Sequence, residues 1–348
     1  MASIVADAAT SSATPMPQVD LGKGVRVGRL SFGGAEIGNL HRALAEDEAR
    51  APMAEAAAAG ITLFDTAPGY GCGLSELRVG AFLRERPAGS FVLSTKIGRY
   101  FVPGRGKRRR EFFCAPLPFE ARFDYTYDGV MRSFEQSQLR LGMTRVDILM
   151  VHELDNGNHG EALAGHYRDM MGGGMKALAE LRGAGDVTLL GAAVNQPEIG
   201  AAMLADGDFD VALAASRYTL LDQSSLHTLH AQAAQRGVRI IAGGIFNSGI
   251  LATGAREGAL YDYVPAQEAI TGRVSQIEAI CARHGVPMAA AALQFALAHP
   301  AVASALIGTS RAGRIAQNVA LLATTIPTDL WRELREAGLI DAEAPTPA

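Results

Sequence analysis

Three apolar runs in the first half of the chain each end on a titratable residue, and this arrangement restricts the possible fold more than any other feature. Ile61 to Phe64 leads to Asp65, Phe91-Val-Leu-Ser-Thr leads to Lys96, and Val146-Asp-Ile-Leu-Met-Val leads to His152. Each run has the length and content of a short strand. The first continues into a turn, Thr66-Ala-Pro-Gly-Tyr70-Gly-Cys-Gly, and then Ser75-Glu76-Leu77, where Ser75 reads as the N-cap of a helix. A carboxylate and a phenol therefore share one strand-to-helix connection. Successive strands that present titratable groups at their carboxyl ends are how a parallel barrel builds an active site.

The rest of the chain fits that scheme. Val25-Arg-Val27 reads as part of a small hairpin closing the bottom, and Leu30 to Gly34 as a first strand with Glu36 and Asn39 after it. Asp47 reads as the cap of an Ala-rich helix ending at Gly60, and the next helix spans Ser75 to Arg86. Val130, Met131, Phe134, Gln138 and Leu141 mark a helix from Asp128 that Gly142 stops. Further strands are expected at Thr188 to Val194, ending on Asn195, and at Val211 to Ala214, Val238 to Ala242 and Ala303 to Ile307. A last helix follows Pro327 and carries the only tryptophan, Trp331. Eight strands alternating with helices predict an α/β fold, a single-domain (β/α)8 TIM barrel with long loops at its C-terminal face. The expected boundaries are a disordered tail over 1–19, the barrel over 20–340 and a C-terminal tail over 341–348.

Two loops stand out. One, from Gly98 to Phe119, contains Lys107-Arg-Arg-Arg110 and places Tyr100 or Phe101 near the mouth. Its basic run reads as solvated surface, and its position makes the loop a candidate lid. The other, Glu153 to His159, is polar. A net charge of -4 gives no global reason to expect nucleic acid or anionic membranes. No run of about 18 apolar residues is present, and the N-terminus lacks the pattern of a signal peptide. Cys72, Cys114 and Cys281 show no metal-type spacing, so no metal is expected and a reducing cytoplasm is the natural setting.

Singly, Asp65, Tyr70, Lys96 and His152 have ordinary readings: a loop carboxylate, a surface turn residue, a satisfied ion pair and a core histidine. Together at one end of successive strands they suit proton transfer to or from an oxygen. A phenol titrates near 10, and an ammonium beside it is expected to lower that value. Asp65 would fix Lys96, and His152 would orient the substrate oxygen. Hydride transfer would need a cofactor. No GxGxxG fingerprint lies between a strand and a helix, so a cofactor would sit on the barrel mouth.

The words FDTAPGYG…SE, STKIGR and VDILMVHELD resemble those of the aldo-keto reductases, and the likeness runs from about Leu30 to Leu322. The resemblance implies a catalytic tetrad of Asp65, Tyr70, Lys96 and His152. It also implies a nicotinamide held near Asn195 and stacked on Tyr218. Cofactor phosphates and adenosine would then lie along Gly243, Gly244 and the segment Gly308, Thr309, Ser310, Arg314, Gln317, Asn318. Gly308 stands where the family often has a lysine, which favours NAD and leaves NADP open. Ser216 to Gln223 and Gly243 to Leu251 are similar to a narrower group: sugar C1 dehydrogenases acting on L-fucose and other D-threo-aldoses, and pyridoxal 4-dehydrogenases. That likeness implies oxidation of a cyclic hemiacetal to a lactone, a sugar ranking ahead of a pyridoxal-like substrate. A general aldehyde or ketone reductase is an alternative within the family. From other classes, a barrel aldolase or hydrolase would use Lys96 as a Schiff-base amine or Asp65 as a base, and a non-catalytic sensor would bind cofactor for a partner.

Overall fold

The computed structural model describes residues 16–104 and 112–347. The expected tail up to residue 15 and the basic run Lys107 to Arg110 lie outside the described residues. Eight parallel strands close into a barrel: β1 Leu30–Gly33, β2 Leu63–Asp65, β3 Val92–Ile97, β4 Val146–His152, β5 Val187–Val194, β6 Val211–Ala215, β7 Arg239–Gly243 and β8 Val302–Gly308. The ring closes where β8 pairs with β1, Ala305 opposite Leu30 and Gly308 opposite Gly33. Around it run α1 Glu46–Ala58, α2 Leu74–Leu83, α3 Tyr127–Leu141, α4 Met175–Ala184, α5 Pro197–Asp206, α6 Ala231–Arg236, α7 Glu268–Arg283, α8 Met288–Ala298, α9 Arg314–Leu322 and α10 Thr328–Glu336.

Strand periodicity explains the placement of the titratable residues. Successive side chains of a strand point to opposite faces. Leu63, Val92, Ile148 and Met150 pack together inside the barrel with Leu189, Val211 and Ile241. Counting in twos from them, Asp65, Lys96 and His152 must also point inward, one layer higher, at the C-terminal mouth. Phe64, Leu93 and Leu149 point the other way, into the larger core under the helices.

The barrel floor corrects the expected domain boundary. Gln18–Asp20 pairs antiparallel with Arg26–Gly28, so the chain is ordered into a hairpin before residue 20. Leu21, Val25 and Val27 complete the interior cluster from below, and burying them fixes both arms. The C-terminal segment is likewise not a loose tail. Arg335 donates to the carbonyl of Ala344 at 3.0 Å and to Thr346 Oγ1 at 2.9 Å, and Ala344 is buried against α10.

Two expected caps are also displaced. Glu48, not Asp47, closes the start of α1, its Oε2 accepting from Ala45 N at 2.9 Å. Ser75 lies inside α2, which begins after Gly73 at φ 96°. Its hydroxyl is buried and donates to Gly34 O at 2.7 Å, stitching the ends of β1 and β2 instead of capping a helix.

Candidate active site

Lys96 is the centre of the mouth. Its ammonium donates to Asp65 Oδ2 at 2.7 Å and to the carbonyl of Thr66 at 2.8 Å. Ser94 Oγ donates to the other carboxylate oxygen of Asp65 at 2.8 Å. The side chains of Lys96 and Asp65 are 1% and 2% exposed, so this is a fully desolvated pair. An amine so held is not presented as a nucleophile, which argues against a Schiff-base role.

Tyr70 leans over this pair. Lys96 Nζ stands 5.1 Å from the centre of its ring, and the His152 ring meets it edge-on at 5.9 Å. The turn that carries Tyr70 has Gly71 at φ 65°, and a Cβ there would sit 2.4 Å from the carbonyl of Gly38. Only glycine lets the β1 and β2 loops approach this closely. Arg78 holds the β1 loop from beneath, donating to Ile37 O at 2.7 Å, Asn39 Oδ1 at 2.8 Å and Leu44 O at 2.9 Å.

The Tyr70 phenol is held well above its ordinary value near 10, chiefly by burial and then by the charges of Asp65 and Glu153. This reverses the expectation that Lys96 would lower it. The charge of Lys96 is spent on Asp65, and the opposing cation is Arg99. Arg99 is buried, forms an ion pair with Glu153, and lies 4.7 Å over the Phe123 ring. Glu153 Oε1 in turn lies 3.7 Å from His152 Nε2. Tyr125 OH, below, donates to the carbonyl of His152 at 2.8 Å.

Aromatic side chains roof the site. Phe113 stacks on Tyr70 at 6.2 Å, and Phe112 packs against Tyr263 at 5.5 Å. Tyr263 comes from a small hairpin tethered through Asp262 to Arg217 at 2.7 Å. Phe101, expected near the mouth, is buried against α3, its amide donating to Gln136 Oε1 at 2.8 Å. Arg99 and Glu153 were within reach of sequence reasoning, since Glu153 directly follows the end of β4 and Arg99 lies two residues past the end of β3. Phe113 and Tyr263 carry no local signal, because the fold alone brings their loops over Tyr70.

Of the residues expected around a cofactor, Gly308, Thr309, Ser310, Arg314, Gln317 and Asn318 line one cleft of about 580 Å³. Glu36, His41, Arg42 and Phe246 form its other walls. Gly243 ends β7 and Gly244 follows it, neither lining the cleft, and a Cβ on Gly244 would sit 2.2 Å from Ser216 Oγ. Asn195 reaches the mouth but its amide donates to Asp155 Oδ2 at 3.0 Å. Tyr218 is a correction. It is 1% exposed and packs among His230, Phe295 and His299 beneath the outer helices, so it does not offer a stacking face at the mouth. Burying a large ring there outweighs exposing it at the rim. Among the described residues no cluster of candidate metal ligands exists, and no helix is long and apolar enough to cross a membrane.

Residues 29–338 match the model of the aldo/keto reductase family. The chain belongs to that family. It is 39% identical over 332 residues to a pyridoxal 4-dehydrogenase of Microbacterium luteolum, covering 91% of this chain and 96% of the relative. It is 38% identical over 331 residues to a D-threo-aldose 1-dehydrogenase of a Pseudomonas species, covering 93% and 97%. An aldo-keto reductase from Bacillus halodurans has the same fold, with a TM-score of 0.73 at 22% identity, covering 94% of this chain and 98% of that structure. The aldo/keto reductase described here is accordingly an oxidoreductase acting on CH–OH groups with a nicotinamide cofactor. Its cleft fits such a group, being of ligand size and lined by polar side chains and a bare glycine.

Proposed function

We propose that this enzyme oxidises the C1 hemiacetal hydroxyl of an aldose of the L-fucose or D-threo type to a lactone. The observation that carries the reading is the convergence of Tyr70 and His152 above the buried Lys96–Asp65 pair, at the foot of a polar mouth holding Arg99 and Glu153. The phenolate of Tyr70, formed when the phenol gives up its own proton to solvent, takes the hydroxyl proton, and His152 orients the oxygen. Lys96 keeps its position through Asp65 and Thr66 O. Thr309, Ser310, Arg314, Gln317 and Asn318 would hold a nicotinamide nucleotide, with Gly243, Gly244 and Asn195 at the mouth, and such a group would supply the acceptor for the C1 hydride. Gly308, in place of a cation, supports NAD over NADP. The names of two relatives, one a D-threo-aldose 1-dehydrogenase and one a pyridoxal 4-dehydrogenase, support hemiacetal chemistry.

A second substrate has its own observation in favour. The rings of Tyr70, Phe113, Phe112 and Tyr263 form an aromatic rim suited to a flat heteroaromatic ring such as that of pyridoxal. The test is absorbance at 340 nm with NAD or NADP against L-fucose, L-galactose, D-arabinose, pyridoxal and simple aldehydes. Cofactor reduction by a sugar supports the first reading, and reduction by pyridoxal alone replaces it with the second. Cofactor oxidation by aldehydes alone marks a general carbonyl reductase. Binding of cofactor without turnover would refute both and favour a sensor.

A further inference from the structure

Glu153 directly follows the last residue of β4, and its backbone is left-handed, with φ 50°. A residue other than glycine is strained there, and such strain persists where the surroundings fix it and often where function needs it. Glu153 N donates to Ala193 O at 2.9 Å, and His159 Nε2 lies 3.1 Å from Glu153 O. With the backbone so turned, Oε1 stands 3.7 Å from His152 Nε2, and Oε2 accepts from Arg99. The Arg99 side chain is 6% exposed and that of Glu153 28%, so the cation lies buried while its carboxylate reaches the open mouth. A Cβ on Gly69 would sit 3.1 Å from Arg99 Nη1 and 3.7 Å from His152 Cε1, so the bare residue before Tyr70 admits both side chains.

Other polar groups of this loop are engaged elsewhere. Asp155 is buried, its Oδ2 accepting from Asn195 at 3.0 Å and its Oδ1 from Asn158 N at 3.0 Å. His159 lies 3.0 Å from Tyr125 OH and packs against the rings of Phe123 and His166. Glu153 instead faces the space between floor and roof. Burial comes first in raising the phenols of Tyr70 below and Tyr263 above, and the Glu153 charge contributes at both, after Asp65 and Glu36 respectively.

We propose that Glu153 recognises the hydroxyl on the carbon next to the reacting one, which makes the substrates cyclic hemiacetals with a free 2-hydroxyl. The inference rests on reading the substrate as an aldose. His152 orients the oxygen on C1, and a carboxylate oxygen 3.7 Å from its Nε2 meets the neighbouring substituent. Each carboxylate oxygen can accept two hydrogen bonds, so Glu153 takes a hydroxyl while it keeps Arg99. A hydroxyl donating to a carboxylate makes a charge-assisted bond, stronger than one between neutral partners. Arg99 acts through Glu153 as a positioning residue. In the cyclic hemiacetal of pyridoxal the carbon next to the reacting one is a ring carbon without oxygen, so that substrate cannot use this contact.

The test compares L-fucose with 2-deoxy-L-fucose, and D-arabinose with 2-deoxy-D-ribose, which is the same sugar without its 2-hydroxyl. Two quantities are measured on the full chain: kcat/KM for oxidation, and equilibrium binding in the presence of reduced cofactor, where the sugar binds without reacting. The wild-type chain should prefer the hydroxylated member of each pair by about tenfold or more in both. Glu153→Gln, which leaves a weaker neutral acceptor, should cut that preference to about threefold or less and leave the 2-deoxy sugars within about twofold. A purely structural Glu153 would weaken both members of a pair equally and leave the ratio intact. Glu153→Asp draws the carboxylate back by one methylene while keeping an anion for Arg99, and should lower the same ratio if the glutamine variant does not fold. Equal use of both members by the wild-type chain, or an unchanged ratio in folded Glu153→Gln and Glu153→Asp, overturns the proposal. Oxidation of pyridoxal alone, or of neither pyridoxal nor a sugar, overturns the aldose reading itself, a separate and distinguishable result.

Discussion

Replacing Lys96 by methionine should unfold this enzyme more readily as well as silence it. The pair it forms with Asp65 is 1% and 2% exposed, and the ammonium supplies Asp65 with a 2.7 Å hydrogen bond. Without it, Ser94 Oγ is the donor left to the buried carboxylate among the described residues. Removing one partner of such a pair costs about 3–5 kcal/mol, mainly because the other charge stays buried. At an m-value of about 3 kcal/mol/M the urea midpoint of Lys96→Met falls by about 1 M or more. The second half of the argument is non-additivity. In Lys96→Met/Asp65→Asn no uncompensated charge remains, so the double variant should be less destabilised than the sum of the two single variants, by about 2 kcal/mol. Urea titrations of the four proteins, followed by circular dichroism at neutral pH, complete the cycle. A Lys96→Met midpoint equal to wild type, or simple additivity, would refute the picture of a desolvated pair whose charge is held by its partner.

Other perturbations reach the site and scaffold separately. Tyr70→Phe should lower turnover by about 10²–10⁴ while cofactor affinity changes little, because the hydroxyl acts only in the chemical step; equal loss of affinity would count against that role. Since Tyr70 is held well above 10, it is a neutral phenol at pH 7. As the base in oxidation it must lose its proton, so the oxidative rate should climb with pH up to pH 10, while carbonyl reduction stays flat over the neutral range. An oxidative plateau near pH 7 would show that the phenol ionises there. Gly80→Ala probes the α2–α3 contact: its Cβ would stand 2.2 Å from the carbonyl oxygen of Leu141, a backbone atom that cannot yield cheaply. A loss of about 1–3 kcal/mol is expected by thermal or urea denaturation, with the pH profile of turnover unchanged.

The parts legible in the sequence were those fixed by local pattern. Asp65, Lys96 and His152 lie at strand ends, and strand alternation alone requires them to share a face. The segment from Gly308 to Asn318 was legible because one strand end and the following helix place it in one piece. What was not legible depends on long-range packing. Tyr218 stands after a strand, as a mouth residue would, but nothing local tells that its ring turns outward to His230 and Phe295. Ser75 has the chemistry of a cap, yet the left-handed Gly73 starts the helix before it and Gly34 claims its hydroxyl. The direction of the Tyr70 shift was hidden for the same reason. It depends on how completely Asp65 engages Lys96 and on burial that only the assembled barrel supplies.

The cleft beside α9 spans the line where the barrel closes. One wall follows β1, near the start of the described chain, and the other follows β8, more than two hundred residues later. Every other neighbouring pair in the ring is joined by a much shorter stretch of sequence, so this seam closes the longest loop and carries the largest ordering cost. A nucleotide held in the cleft would fasten the two ends of the chain to each other. Its contribution to thermal resistance, about 2.7 kcal/mol at a hundredfold excess over its dissociation constant, would then fall on the pairing with the longest sequence separation in the ring. The ligand would act on the assembled ring as a clasp does on a bracelet.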